Sequence, residues 1–410
     1  NFNLFPHYSV LKNITEAPLI VQKRDKKEVK EEEYNNFYSS TYYDYSQPLE
    51  VIRYKAEGTT NFTSLLFIPS HAPFDLYSKE YKRGLELYSN GVLIMDKCED
   101  LLPEYFGFVK GLVDSEDLSL NISREILQQD KQLKTIAKSI EKKIAKDLSE
   151  MLKNDREKYE KFFKEFGVNI KMGIYNTFGM AKDELQDLLL FYSSKEKHLV
   201  TFKEYIKNLK DKQDVIYYAV GESTDKIDLM PQVEEVKEKG YEILYLTDYA
   251  DEFVVQVLQN YDNKKFVNVA SSEVNLENEE EKKEVEKLNT ESKDLLDKMK
   301  DVLKDKVASV KFTNSLKKHP VCLTSEGTIS TGMEKVLNSM PTNEKVKAST
   351  VLSINASHPI AKKIKELYKT NPEEIEKYTK ILYAQAKLIE GLTLDNPSEI
   401  SDLICEASSK

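Results

Sequence analysis

The sequence predicts a multidomain chain that combines α/β and α+β architecture. At 410 residues it is long enough for two to four domains of roughly 100 to 200 residues each. Short β-rich runs at 62–68, 92–95, 215–220 and 242–246 are separated by longer stretches whose apolar residues recur every three or four positions. Only 13 glycines and 12 prolines interrupt a chain that is 40% hydrophobic and 32% charged, a mixture that favours helix-rich globular domains over disorder.

Residues 49–96 read as sheet, with turn chemistry around Pro69, Pro73, Asn90 and Gly91. From 123 to 152 the apolar positions Leu127, Leu133, Ile136, Ile140, Ile144, Leu148 and Met151 mark one long amphipathic helix or two joined ones. A strand at 215–220, a helix at 233–239 ending at Gly240, a strand at 242–246 and a helix at 251–258 predict a parallel crossover and a compact α/β unit. The acidic and basic block at 277–287 has few apolar positions and reads as a bridge between domains, with a boundary near 280.

Beyond it, Leu288, Leu295, Met299, Val302, Leu303 and Val307 predict another amphipathic helix, and 321–324 and 351–354 are strand candidates, so the last domain reads as α+β. Asn371-Pro372 and Asn396-Pro397 each place a capping side chain before a proline at a first helical position. On the first of these helices, Ile375, Tyr378, Leu382 and Ile389 line one side, and Ile381, Ala384, Leu388 and Leu392 the other. That is more apolar surface than a terminal helix needs, and it predicts a helical dimer interface.

Several chemistries are disfavoured. With 60 Lys and Arg against 70 Asp and Glu, the net charge of −10 repels phosphate backbones, so nucleic acid is not an expected partner. No apolar run approaches the roughly 18 residues that cross a bilayer, so no membrane is expected either. Cys98, Cys322 and Cys405 are widely spaced, and His7, His71, His198, His319 and His358 are scattered, so neither a disulfide framework nor a metal site is indicated. The chain lacks GxxxxGK[ST], GxGxxG and GxSxG, so it carries no phosphate cradle or nucleophile elbow of its own.

One segment stands out. At 118–129 an Asn- and Ser-rich loop leads into the long helix with Arg124 at its first turn. A cation there opposes the helix dipole at a cost of ~0.3 to 1 kcal/mol, whereas an anion at that end is stabilised by free backbone N–H groups and by Arg124 together. The alternative from local pattern alone is that Glu125 offsets the dipole and Arg124 points to water.

That stretch and its neighbours resemble the ninety-kilodalton heat-shock chaperone family, of the bacterial high-temperature protein G type. The resemblance is carried by TSLLFIPSHAPFD at 63–75, GLELY at 84–88, VLIMD at 92–96, LLPEYFGFVKGLVDS at 101–115 and SREILQ at 123–128. It continues through YEKFFKEFG at 159–167, IYY at 216–218, DEF at 251–253 and INASHP at 354–359, covering about residue 18 to the end. The resemblance implies the family's middle and carboxy-terminal domains: an α/β/α middle domain with large and small subdomains, then an α+β dimerisation domain. The division expected is 1–205 for the large subdomain with its catalytic loop, 206–272 for the small subdomain, 273–287 for a charged linker and 288–410 for the dimerisation domain. The family's amino-terminal ATP-binding domain has no counterpart here, and the first residue is Asn1 rather than Met, so an excised piece is expected.

By the same resemblance, Arg124 and Gln128 reach towards ATP and its Mg ion held by the ATP-binding domain of the same protein, and Asn121 shapes the loop. An arginine in that place acts as a finger on the γ-phosphoryl group, a role worth up to roughly 10³ to 10⁵ in rate in other nucleotidases. The chain alone is expected to bind no cofactor and to hydrolyse no ATP. Phe253, Gln256, Ile329, Met333, Val336 and Leu337 correspond to the surface for unfolded or partly folded clients, although a helical stripe of this kind also fits a core. Ile381, Leu382, Leu388, Ile389, Leu403 and Ile404 correspond to a homodimer interface. The expectation is therefore a cytoplasmic, stress-response, ATP-dependent chaperone that remodels clients. A nucleotide-independent holdase or scaffold is the alternative, and a hydrolase built on scattered carboxylates is the third reading.

Overall fold

β-branched and aromatic residues between 50 and 115 build the first of three sheets in the computed structural model of the chain, which describes residues 26–118, 131–211, 213–272, 274, 276, 279–340 and 345–409. The chain divides into two compact units at Leu189 and Leu190. The first unit opens with α1 (Lys26–Tyr42), followed by β1 (Glu50–Ala56), β2 (Phe62–Ile68), β3 (Leu85–Ser89), β4 (Val92–Cys98) and β5 (Lys110–Ser115). Their order in the sheet is β1-β2-β5-β3-β4, antiparallel except where β3 runs parallel to β5. Every residue of β2 except Thr63 is buried, as a central strand covered on both faces requires.

Tyr34 and Tyr38 of α1 pack on Leu65, Phe67 and Leu112, with the Tyr38 ring 5.2 Å from that of Phe67. The periodic stretch after 123 is described from Lys131 as α2 (Lys131–Asn154), which buries Leu133, Ile136, Ile140, Ile144, Leu148 and Met151. Asp155 then caps α3 (Arg156–Asn176) by accepting from the Lys158 N–H. That helix buries an aromatic stripe in which Phe166 stacks on Phe108 with ring centroids 4.2 Å apart. The short helix α4 (Lys182–Leu185) follows.

The second unit begins with β6 (Phe191–Ser193), β7 (Leu199–Val200) and α5 (Phe202–Lys207), then β8 (Val215–Val220), α6 (Thr224–Asp228), α7 (Pro231–Glu238), β9 (Leu244–Leu246), α8 (Asp251–Leu258), β10 (Asn260–Tyr261) and β11 (Lys264–Asn268). The crossover expected from the sequence is present: β8 and β9 pair in parallel, with Val220 opposite Leu246. Gly240, with φ of 71°, turns the chain after α7 in a conformation that a side chain would disfavour. The full order is β10-β11-β8-β9-β6-β7, so the strand at 191–193 belongs to this second sheet through its pairing with β9.

The remainder holds α9 (Glu279–Glu291), α10 (Lys293–Leu303), β12 (Ser309–Thr313), β13 (Val321–Glu326), α11 (Thr331–Ser339), β14 (Ser349–Asn355), α12 (Pro359–Thr370), α13 (Glu374–Ile389) and α14 (Pro397–Ser408). The third sheet is β12-β14-β13, and its core joins Met299, Phe312, Leu323, Leu352, Ile354, Ile364 and Leu382.

One segment is more regular than expected, and one local expectation, the cap at Asn371, is corrected. The charged segment read as a linker is helical from 279, because a run of Glu and Lys has high helix propensity and Asn289 pins the helix to β12. Asn371 does not cap α13; it ends α12 by donating its N–H to the Leu367 carbonyl, and α13 starts at Glu374 without a side-chain cap. Asn396 does cap α14, accepting from the Glu399 N–H at 3.3 Å.

Candidate functional site

The segments nominated for client contact lie on α8 and α11, and the fold brings them together. Asp251 and Glu252 in the first turn of α8 suit the positive end of the helix dipole, and Val254, Val255 and Leu258 bury its inner face. Phe253 and Gln256 are half-buried on the remaining surface. The Gln256 amide Nε2 donates to the Thr328 carbonyl at 2.6 Å and lies 2.8 Å from the Met333 Sδ. Met333 is buried, whereas Ile329, Val336 and Leu337 are half-buried along the same helix and the turn before it.

Beneath this seam is a polar knot that the sequence reading did not nominate. Ser330 caps α11 by accepting from the Met333 N–H at 3.0 Å, and its hydroxyl donates to the Glu252 Oε2. Asn268 Nδ2 donates to the Glu252 Oε1 at 2.9 Å. Burial pushes the Glu252 carboxyl above the usual glutamate range, and the donors from Ser330, Asn268 and Tyr218 act against that shift. Gly332 permits the close approach, since a Cβ there would stand 3.0 Å from Val220 Cγ1 and 3.2 Å from Glu252 Oε2. The available signal was the spacing of Glu252 and Gln256, which puts both on one face of α8, together with a serine at the start of α11.

A second polar contact joins α7 to the last sheet. The Gln232 Nε2 donates to the Leu323 carbonyl at 2.7 Å and to the Glu390 Oε1 at 2.6 Å. Burial raises the Glu390 carboxyl to about 7, opposed by the Gln232 donor and by the Lys335 charge.

Arg124, Gln128 and Asn121 lie outside the described residues. The structure does describe the framework on either side of them. The buried Ser89 hydroxyl donates to the Leu118 carbonyl at 2.6 Å, and the Asn61 N–H donates to Asp117 Oδ2 at 2.6 Å. On the far side, α2 is held by the buried Leu133 and Ile136.

The six positions assigned to dimerisation separate into two groups. Ile381 and Leu382 are buried within the protomer, Leu382 in its core cluster. Leu388 and Ile404 are 59% and 43% exposed, while Ile389 and Leu403 are half-buried. No residue of α14 is buried; Lys377 and Lys380 of α13 hold that helix through Glu406 at 3.0 Å and Glu399 at 3.2 Å. Among the described residues, no three His, Cys, Asp or Glu side chains group as metal ligands. No described helix is long and apolar enough to cross a membrane.

These features define a multidomain mixed α/β protein in which α8 and α11 meet through Gln256 and Met333. The profile of the family described as Hsp90 protein matches residues 14–409, and the chain belongs to that family. It is 51% identical over 386 residues to a protein named Chaperone protein HtpG from Clostridium botulinum strain Loch Maree, 52% identical to the HtpG of Alkaliphilus oremlandii and 49% identical to that of Bacillus subtilis strain 168. Each alignment covers 94% of this chain and 62% of the relative, so the chain spans less than two thirds of the length of the curated relatives it matches. The bacterial resemblance read from the sequence is thereby borne out.

Proposed function

We propose that the chain supplies the client-binding and dimerising part of an ATP-driven molecular chaperone of the stress response, working in the cytoplasm. The observation that carries the reading is the contact between Gln256 and Met333, which brings two segments 77 residues apart together. An unfolded client offers apolar side chains, which the half-buried apolar residues of these segments can meet. Phe253, Ile329, Val336 and Leu337 provide apolar contact, and the buried Met333 supports them from beneath.

In this reading the first unit is the body of the large middle subdomain. The second unit joins the small subdomain to the dimerisation domain. ATP with Mg, held by an amino-terminal domain of the same protein, supplies the phosphoryl transfer that drives the cycle. This chain's share is positional: the bonds from Ser89 to Leu118 and from Asn61 to Asp117 fix the start of the loop that carries Arg124. Gln128 is taken to act with Arg124 on the nucleotide, and Asn121 to support both.

The test is Arg124→Ala in a protein that includes the ATP-binding domain. Turnover is expected to fall by about 10² or more, with ATP affinity within about twofold of the parent. Unchanged turnover removes the finger role. A second reading, a nucleotide-independent holdase, has in its favour that the seam is complete within this chain. Full suppression of client aggregation by the chain without nucleotide would support it.

A further inference from the structure

The chain contains a single Asn-Gly dipeptide, Asn90-Gly91, and it forms the exposed two-residue turn between β3 and β4, where Ser89 pairs with Val92. Both residues have positive φ, 49° at Asn90 and 77° at Gly91, which defines a type I′ turn. The Gly91 N–H donates to Asp114 Oδ1 at 3.2 Å. That carboxylate belongs to β5, and the parallel register that sets Asp114 opposite Tyr88 delivers it to the turn. Beside the turn, Asn90 Nδ2 donates to Ser89 Oγ at 3.4 Å, and the Ser89 hydroxyl holds the Leu118 carbonyl.

We propose that Asn90 is a site of spontaneous deamidation that Asp114 keeps shut. Once the Gly91 nitrogen gives its proton to solvent hydroxide, it can attack Cγ of Asn90, and the absence of a Cβ on Gly91 leaves its approach unhindered. An N–C bond forms, the Cγ–Nδ2 bond breaks, and Nδ2 leaves as ammonia with a proton taken from water. Water then opens the five-membered imide at either carbonyl. Asn90 becomes aspartate or its β-linked isomer, in which the main chain runs through the side-chain carbons. One water is consumed, one ammonia is released, and nothing is oxidised or reduced.

The turn geometry explains the lock. Ring closure needs the Gly91 nitrogen on the Cβ side of Asn90, the peptide orientation of a type II′ turn with ψ of about −120°, whereas a type I′ turn holds ψ near about +30°. The two turns differ by a flip of the Asn90–Gly91 peptide plane, and that flip swings the Gly91 N–H away from Asp114. The bond to Asp114 therefore holds the plane where the ring cannot close. The carboxylate also opposes loss of the Gly91 proton, because the amide anion would lie beside a negative charge. Opening the lock has a local consequence. The β-linked isomer lengthens the main chain in a two-residue loop whose length fixes the register of β4, the edge strand of its sheet. In either product the donor to Ser89 becomes a carboxylate.

The experiment incubates the 410-residue chain at about pH 8.5, folded and in urea, and follows conversion at Asn90 by peptide mass spectrometry that resolves the two acidic products. The folded parent is expected to convert at least tenfold more slowly than the chain in urea. Asp114→Ala, checked for an unchanged fold by its thermal midpoint, should convert about tenfold faster than the folded parent, the factor that a lost charge-assisted bond of ~1.4 kcal/mol gives. Amide exchange at Gly91 gives a second reading on the unsubstituted chain: it should be about tenfold slower than at an unbonded amide, although the turn is exposed. A folded rate within twofold of that in urea, or no conversion in urea, overturns the proposal. An Asp114→Ala rate within twofold of the parent, or Gly91 exchanging like an unbonded amide in the parent, overturns the role of Asp114.

Discussion

The Nε2 of Gln256 lies 2.8 Å from the Sδ of Met333 and donates to the Thr328 carbonyl at 2.6 Å, so one side chain of α8 fastens the start of α11. Gln256→Ala removes that tie while leaving the knot of Glu252, Ser330 and Asn268 intact. Thr328 is exposed and its carbonyl can turn to water, so the loss of stability should be about 1 kcal/mol or less. Affinity for an unfolded client, measured by fluorescence anisotropy, should fall several-fold because α11 loses its fixed orientation. A drop in thermal midpoint without a drop in affinity would confine Gln256 to a structural role.

Glu390 makes the second unit sensitive to pH. Its folded value, raised by burial to about 7, exceeds the ordinary glutamate value of 4.5, so between those limits the folded state keeps a proton that the unfolded state has released. Stability therefore falls as pH rises through this window, and the penalty is fully present above the folded value. From pH 6 to pH 8 the loss should be about 1 kcal/mol, equivalent to ~2 to 4 °C in thermal midpoint. Glu390→Gln should flatten that dependence, since an amide can keep the bond from Gln232 without a charge; an unchanged slope would assign the pH response to other groups.

Much of this arrangement was legible in the sequence, for identifiable reasons. The pair β8 and β9 was foreseeable because two short apolar runs flank a helix followed by glycine, and a helical crossover returns the chain for parallel pairing; the short α6 ahead of that helix was not foreseen. Asn371 and Asn396 present the same dipeptide with proline, yet only the Asn396 side chain caps a helix; Asn371 ends α12, and its backbone carbonyl rather than its side chain accepts from the Glu374 N–H. Local pattern cannot distinguish the two. The helical character of 279–291 was hidden because its anchor, Asn289, finds its partner at Phe312, 23 residues on. Of the candidate site, the helices at 251–258 and 329–337 were nominated separately. Their meeting through Gln256, and the buried Glu252 beneath, depend on tertiary placement that no spacing rule supplies.

Asn289 itself offers a clean test of how the charged segment is held. Its Oδ1 accepts from the Phe312 N–H at 2.8 Å and its Nδ2 donates to the Phe312 carbonyl at 3.0 Å, imitating a neighbouring strand along the free edge of β12. Asn289→Ala leaves both backbone groups without that partner, and a loss of ~1 to 3 kcal/mol is expected. Hydrogen exchange at Phe312 should accelerate more than at Ile354 in the middle strand β14. Equal acceleration at both would mean that the substitution loosens the sheet as a whole rather than its edge.

Dimerisation, if it uses α13 and α14, must rely on what the protomer leaves uncovered. Ile381 and Leu382 serve the interior, so the contact falls to the exposed Leu388 and Ile404, with Ile389 and Leu403 beside them. A two-fold interface uses each position twice. Replacing Leu388 and Ile404 by Asp should therefore forfeit ~3 kcal/mol or more of apolar burial, since each of four side chains has only about half of its ~1.5 kcal/mol left to gain. That is a weakening of about 10² or more in the dimer constant. Because both side chains are exposed in the protomer, its thermal midpoint measured at concentrations where it is monomeric should hardly move. Sedimentation at tens of micromolar should show a dimer for the parent chain and a monomer for the double variant. A monomeric parent at that concentration would remove the interface from α13 and α14, and a dimeric double variant would move it away from Leu388 and Ile404.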